Sequence, residues 1–203
     1  MVEPNYTITE LDISYEELTE LPYNIDKYTN LENLDCWGNK ITSLDNLPPK
    51  LEVLYCDYNK ITSLDNLPPN LKELYCTNNQ LTSLDNLPSK LSVLYCQTNQ
   101  LTSLDNLPPN LEVLYCCDNK ITSLDKLPST LVYLDCRYNK LTSLDNLPAK
   151  LEVLYCRSNK ITSLDNLPPN LKALDCINNP LKYDFKHTLE NIKNYNASRI
   201  LSS

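Results

Sequence analysis

Cysteines 116 and 117 stand side by side, and the chain holds nine cysteines in all, so thiol chemistry is the first chemistry to weigh. Eight of the nine, Cys36 to Cys176, recur every twenty residues. A disulfide needs Cβ atoms about 3.8 Å apart, a zinc site needs ligands converging as a tetrahedron, and a reactive thiol needs a nearby positive charge. Other residues recur at the same spacing. Aspartates 45, 65, 85, 105, 125, 145 and 165 form a row of carboxylates to be tested against calcium. Asparagines 39 to 179 form a row of amides, and Thr-Ser pairs form a row of hydroxyls. His187 is the single histidine, so no catalytic constellation of Ser, His and Asp or of Cys and His can be assembled more than once.

The common spacing is itself the explanation. LENLDCWGNKITSLDNLPPK, from Leu31, is followed by LEVLYCDYNKITSLDNLPPN and by six further copies, the last of which breaks after Pro180. Counted from its first leucine, each unit has leucine at places 1, 4, 14 and 17, cysteine at 6, asparagine at 9, and isoleucine or leucine at 11. Leucine 4 and cysteine 6 alternate with variable residues at 3, 5 and 7, the period of a short strand with one buried face. The nine residues that follow, with Pro68 and Pro69 in the second unit, are too few and too proline-rich for an ordinary helix. Strands of equal-length units then stack in parallel, about 4.8 Å apart. About five aliphatic side chains per unit, at roughly 1.5 to 3 kcal/mol each, cannot offset about 1 to 2 kcal/mol of backbone entropy for each of twenty residues. A lone unit should not fold, and stability must come from the stacked array.

The pattern LxxLxCxxNxL, as in Leu51, Leu54, Cys56, Asn59 and Ile61, resembles the regular segment of the leucine-rich repeat family, over about residues 8 to 181. The segment TSLDNLPPN resembles the variable part of the twenty-residue class found in bacterial effectors, departing from it at Asp65, where that class usually has a proline. Similar repeats occur in proteins of giant amoeba viruses. The resemblance implies an α/β repeat class, mostly β: a solenoid with a parallel sheet on the concave face, extended or turn segments on the convex face, and a short C-terminal capping helix. Residues 1–30 form an N-terminal cap whose Ile8, Leu11, Ile13, Leu18 and Leu21 fill places 1, 4, 6, 11 and 14 of an irregular first unit. Residues 31–180 are the eight repeats, the last truncated, and residues 181–203 form a cap in which Asp184 starts a helix carrying Phe185, Leu189 and Ile192 on one face.

The repeated polar rows then have structural readings. The family implies that the asparagines bond backbone groups at the bend after the strand, a task suited to an amide with two donors and an acceptor. Each aspartate is expected to close an Asx turn, as Asp65 would with the N–H of Leu67. One carboxylate per unit is poor provision for calcium. The hydroxyl row satisfies turns. The place-6 cysteines point inward as small hydrophobes and stay reduced. Cys116 is thus a packing residue. Cys117 lies at a surface place between Gln97 and Arg137, whose charge should favour its thiolate.

Composition sets further bounds. With 41% hydrophobic and 22% charged residues the chain reads as ordered. A single glycine, Gly38, excludes the glycine-rich nucleotide cradles. The N-terminus lacks a basic and apolar leader, and no run can span a bilayer, so a cytoplasmic setting is expected, the host cytoplasm for a virus or pathogen. The net charge of −8 comes nearly entirely from the seven scaffold aspartates. The strand-face places hold ten acids against nine bases, more acidic towards the N-terminus and more basic towards the C-terminus.

Binding is expected at the variable places of the concave face. Place 5 carries Tyr55, Tyr75, Tyr95, Tyr115 and Tyr155; place 7 carries Trp37, Cys117, Arg137 and Arg157; place 8 adds Tyr58 and Tyr138. Tyrosine, tryptophan and arginine dominate interface hot spots, although a tyrosine row also suits a sheet surface. The expected function is a non-enzymatic scaffold that binds a protein partner, with a structural or self-associating protein as the alternative. No cofactor, metal or membrane is expected, nucleic acid is disfavoured, and a monomer is expected.

Overall fold

A computed structural model describes residues 5–200. Nine three-residue strands run parallel in strict sequence order: β1 (Glu10–Asp12), β2 (Asn33–Asp35), β3 (Val53–Tyr55), β4 (Glu73–Tyr75), β5 (Val93–Tyr95), β6 (Val113–Tyr115), β7 (Tyr133–Asp135), β8 (Val153–Tyr155) and β9 (Ala173–Asp175). The register never slips. Leu11 stands beside Leu34, Leu34 beside Leu54, and so on to Leu154 beside Leu174. The first unit is threaded as its apolar places require, since the Ile13 N–H donates to Asp35 O and the Leu18 N–H to Asn39 Oδ1, the bonds that places 6 and 11 make elsewhere.

The return leg is extended backbone with turns. At its last corner the carbonyl of the proline at place 18 accepts the N–H of the next unit's first leucine, as Pro68 O does from Leu71 at 3.2 Å. This is a four-residue turn, and Pro49, Pro69, Pro109 and Pro169 sit at the second position, where fixed φ favours it. The core is a continuous column of leucine, isoleucine and cysteine between the sheet and this leg.

Each asparagine at place 9 locks two units together. Asn99 Nδ2 donates to Cys96 O in its own unit at 3.1 Å and to Cys76 O in the preceding one at 3.0 Å, while its Oδ1 accepts the N–H of Leu81 at 2.9 Å. The same set recurs from Asn59 to Asn179.

The aspartate row is held differently from the Asx turn expected. Ser63 Oγ donates to Asp65 Oδ2 at 2.6 Å and accepts the Asp65 N–H, so the hydroxyl two residues earlier closes the turn. The other carboxylate oxygen takes the amide of the next unit's place-16 asparagine, Asn86 to Asp65 at 3.0 Å and Asn106 to Asp85 at 2.6 Å. The same serine turn forms whether the next residue is left-handed, as at Asn66 (φ 65°), or not, as at Lys126.

At the far end the helix α1 spans Leu189–Ile200, and its N-cap is Thr188, whose Oγ1 accepts the Asn191 N–H at 3.2 Å. Asp184 therefore does not start it, and Phe185 lies before it. Ile192 is fully buried against the core with Leu189 and Phe185 beside it, so the apolar grouping persists in a different geometry. Asn196 clamps the helix to the last full unit through Leu164 O and Asp165 O.

Replacing Asn99 by Ala leaves the buried Leu81 N–H unpaired and takes one of two amide donors from each of the Cys76 and Cys96 carbonyls, which keep Asn79 and Asn119. We expect it to lower unfolding stability by about 3 kcal/mol, against less than about 0.5 kcal/mol for Gln100→Ala at the exposed neighbouring place. Urea unfolding midpoints decide the matter.

Candidate partner-binding face

Strand alternation turns places 3, 5 and 7 outward, so the concave sheet is built from variable residues. Its spine is a column of rings. Tyr55, Tyr75, Tyr95 and Tyr115 stack with centroids 4.5, 4.7 and 4.2 Å apart and planes within 24°. In-register parallel strands set this spacing, because identical places repeat at the interstrand distance.

The column does not stop at β7, where place 5 is Asp135. Tyr133 at place 3 swings into the gap, stacking on Tyr115 at 4.6 Å and meeting Tyr155 edge-on at 5.7 Å. Reading place 5 alone missed it. The signal was present, since Tyr133 is the sole tyrosine at place 3 and falls in a unit where place 5 lacks one. Burial and mutual packing raise the hydroxyl pKa values of Tyr75, Tyr95 and Tyr133, that of Tyr95 to about 12.

Asp135 is only 1% exposed, and it holds Arg137 through Nε at 2.9 Å and Nη2 at 2.6 Å, with the guanidinium 5.7 Å from the Tyr155 ring centre. Arg137 is thus committed to an internal pair rather than held out to solvent. Arg157, one unit on, has a buried Nε without a hydrogen-bond partner. Tyr58 and Tyr138 at place 8 are half exposed, at 53% and 52%. Trp37 is packed edge-on between Tyr15 of the first unit, at 4.4 Å, and Tyr58, at 5.2 Å. Tyr15 was missed because the irregular cap hid its equivalence to place 8. Its ring lies 2.9 Å from where a Cβ on Gly38 would stand, which accounts for the one glycine in the chain.

All nine cysteines are free thiols, eight of them buried. The Sγ of Cys36, Cys76, Cys96 and Cys136 reaches the next unit's place-5 carbonyl at 3.3 to 3.4 Å, and burial lifts the Cys36 thiol to about 12. Cys117 departs from expectation. Half-buried and facing the Asp135 carboxylate, its thiol is raised to about 11, and Arg137 only partly counters this because Asp135 has already neutralised it. His187 sits among Tyr183 and Phe185 in the cap.

Comparison with known proteins follows the geometry. A family described as "Leucine Rich repeats (2 copies)" matches residues 29–69, 49–89, 69–109 and 109–149. Among solved structures, YopM from Yersinia enterocolitica WA-314 superposes with a TM-score of 0.82 and 37% identity, over 92% of this chain and 41% of that one. The functional domain of InlJ from Listeria monocytogenes, described as including a cysteine ladder, gives 0.78 and 40%, over 89% and 42%. A TLR13 complex with single-stranded RNA gives 0.60 and 27%, over 74% and 26%. The chain spans less than half the length of each of these three structures. No curated protein matches it in sequence.

Two outcomes follow from the ionisations. With Cys117 near 11 rather than the ordinary 9.0, its thiolate fraction at pH 8 falls about a hundredfold. Ellman's reagent should therefore find no fast-reacting thiol in the native protein and nine after unfolding; one thiol reacting like free cysteine contradicts the geometry. The buried thiols and the hydroxyls of Tyr75, Tyr95 and Tyr133 have folded-state pKa values above 9.0 and 10.0 respectively. Their contribution to stability is complete below pH 9 and is lost as pH rises towards 12. Denaturation midpoints measured across that window should fall steadily, with a tyrosinate absorbance component near pH 12.

Proposed function

Because the chain belongs to the leucine-rich repeat family, we propose that it is a non-enzymatic scaffold holding a protein partner against its concave sheet. The observation that carries this reading is the division of labour within each unit. Places 1, 4, 6, 9, 11 and 14 are consumed by the core and the asparagine ladder, while places 5, 7 and 8 present Trp37, Tyr58, Tyr138 and the edges of the tyrosine column on an uncovered sheet. Large aromatic side chains with polar tips give contact area at little entropic cost, which suits a protein surface. Leucine-rich repeat proteins generally serve as such scaffolds. RNA is the weaker partner. Phosphate binding draws on an excess of free cations, and on this face ten acids stand against nine bases, of which Arg137 is paired with Asp135, Lys72 with Glu52 and Lys172 with Glu152.

One observation favours a self-associating structural role as the second reading. Ile8, Leu11, Ile13 and Leu18 are only half-buried, whereas the same places inside the array are closed, so a copy stacked on that end would cover apolar surface. Light scattering separates the two, since a monomer at high concentration excludes self-assembly.

Affinity capture tests the first reading. Proteins retained by the native chain should drop at least about tenfold with Trp37→Ala, Tyr58→Ser and Tyr138→Ser combined, and survive Thr102→Ala with Thr122→Ala on the convex side. Crosslinks from a retained protein should fall on concave places. Equal retention by both variants contradicts the assignment.

A further inference from the structure

On strands β1 to β4 the outward places carry Glu10, Asp12, Asn33, Asp35, Val53, Tyr55, Glu73 and Tyr75. The register sets Asp12 directly beside Asp35, and Asp35 beside Tyr55. Carboxylates on strands about 4.8 Å apart repel unless a cation lies between them. Glu10, Asp12, Asp35 and Glu73 line one open trough of about 610 Å³, floored by Asn33 and Val53 and walled by Tyr55.

Among the described residues no cation forms an ion pair with them. Their hydrogen bonds come from neutral donors: Ser14 N–H to Asp12, Trp37 N–H to Asp35, the Asn33 amide to Glu10, and the Tyr75 hydroxyl to Glu73. The ion pairs among the described residues involve none of the four: Lys40 pairs with Glu17, Lys72 pairs with Glu52, and the exposed Lys60 at place 10 is in no ion pair. Beyond Asp35 the same face turns aromatic. Trp37 follows Asp35 on the same face, flanked by the exposed rings of Tyr15 and Tyr58, and Asp57 holds the neighbouring place 7. Carboxylates beside exposed aromatic faces are the two complementary surfaces for an ammonium or guanidinium group.

Resting on the concave-face reading, we infer that this N-terminal part of the sheet docks an extended protein segment bearing lysine or arginine. Four strands at about 4.8 Å span roughly 14 Å, the length of about four extended residues. Two alternating basic side chains of such a segment can therefore reach the trough together, one over the Asp12 and Asp35 pair and one towards Glu73. Anionic phosphates are repelled from the same surface, which makes a nucleic acid or an acidic membrane the wrong occupant.

Trp37 is the single tryptophan and its own backbone N–H donates to the Asp35 carboxylate that lines the trough, so its emission reports occupancy. The probe is an end-blocked eight-residue peptide of alternating lysine and alanine, with its glutamate counterpart as the opposite charge. Asp35→Asn with Glu73→Gln removes two charges but keeps the oxygens that accept from Trp37 N–H and Tyr75, and circular dichroism with a urea midpoint checks that the fold survives. Asp85→Asn with Asp125→Asn removes the same charge from the convex side. We expect a saturable change in emission with the lysine peptide, weakened at least about tenfold by the concave pair and less than about twofold by the convex pair, and falling with salt. No saturable change, an equal loss in both pairs, or tighter binding of the glutamate peptide overturns the inference. If the peptide fails while crosslinks from a captured partner still fall on concave places, only the basic chemistry is wrong. If those crosslinks leave the concave face, the scaffold reading fails with it.

Discussion

One buried amide, repeated once per turn, is the interaction on which the rest depends. A solenoid this narrow must bend its chain sharply after every three-residue strand, and the bend strands carbonyls inside the core, where each unpaired group costs about 1 to 3 kcal/mol. The place-9 asparagine takes the carbonyls of its own cysteine and of the preceding one, and accepts the N–H at place 11 of the unit before. It therefore serves as bend and as lateral tie together. Because the amide must reach two units at once, neighbouring units must keep the same pitch at the bend, which is why the register holds from Leu11 to Leu174 although the first unit is longer than the rest.

The same bend imposes a strain. The residue just before each asparagine is left-handed, φ 53° at Tyr58, 52° at Thr98, 54° at Tyr138 and 57° at Ser158, though only Gly38 is glycine. Such backbone costs of order 1 kcal/mol or more per residue and persists where the surroundings over-determine it. The amide ladder is that surrounding structure. Retaining side chains at this place has a consequence for function, since a strained, side-chain-bearing position directs Tyr58 and Tyr138 out over the rim of the sheet, where a glycine would present nothing.

Much of this was legible because period is a collective signal: twenty-residue spacing gave the parallel sheet and the inward leucines and cysteines, the apolar places gave the threading of Ile8 to Leu21, and the family resemblance implied the asparagine ladder. What escaped were pairings between units at different places. Tyr133 filling the gap at Asp135 is a diagonal contact between places 3 and 5, invisible when each column is read separately. Arg137 read as a free contact residue because its partner, Asp135, lay two residues away on the same face and looked equally free; burial to 1% decided the matter. Cys117 followed from that error, since a cation already neutralised cannot activate a thiol. At the cap, Asp184 and Thr188 are both good N-cap types, and packing of Ile192 against the core selected the second.

Charge shows most clearly how a scaffold can mislead. The net −8 is set by a convex row whose carboxylates are occupied by serine hydroxyls and asparagine amides, so it describes turn chemistry rather than a partner. On the concave side the near balance of acids and bases hides a separation along the axis. Asp135 and Arg137 cancel each other in the C-terminal part, whereas Glu10, Asp12, Asp35 and Glu73 meet only neutral donors. A stiff solenoid keeps those carboxylates apart in fixed register instead of letting them fold onto a nearby lysine. Rigidity from the amide ladder thus preserves an uncompensated field on one part of the sheet, and a field of that kind draws a partner of opposite charge into register before contact is made.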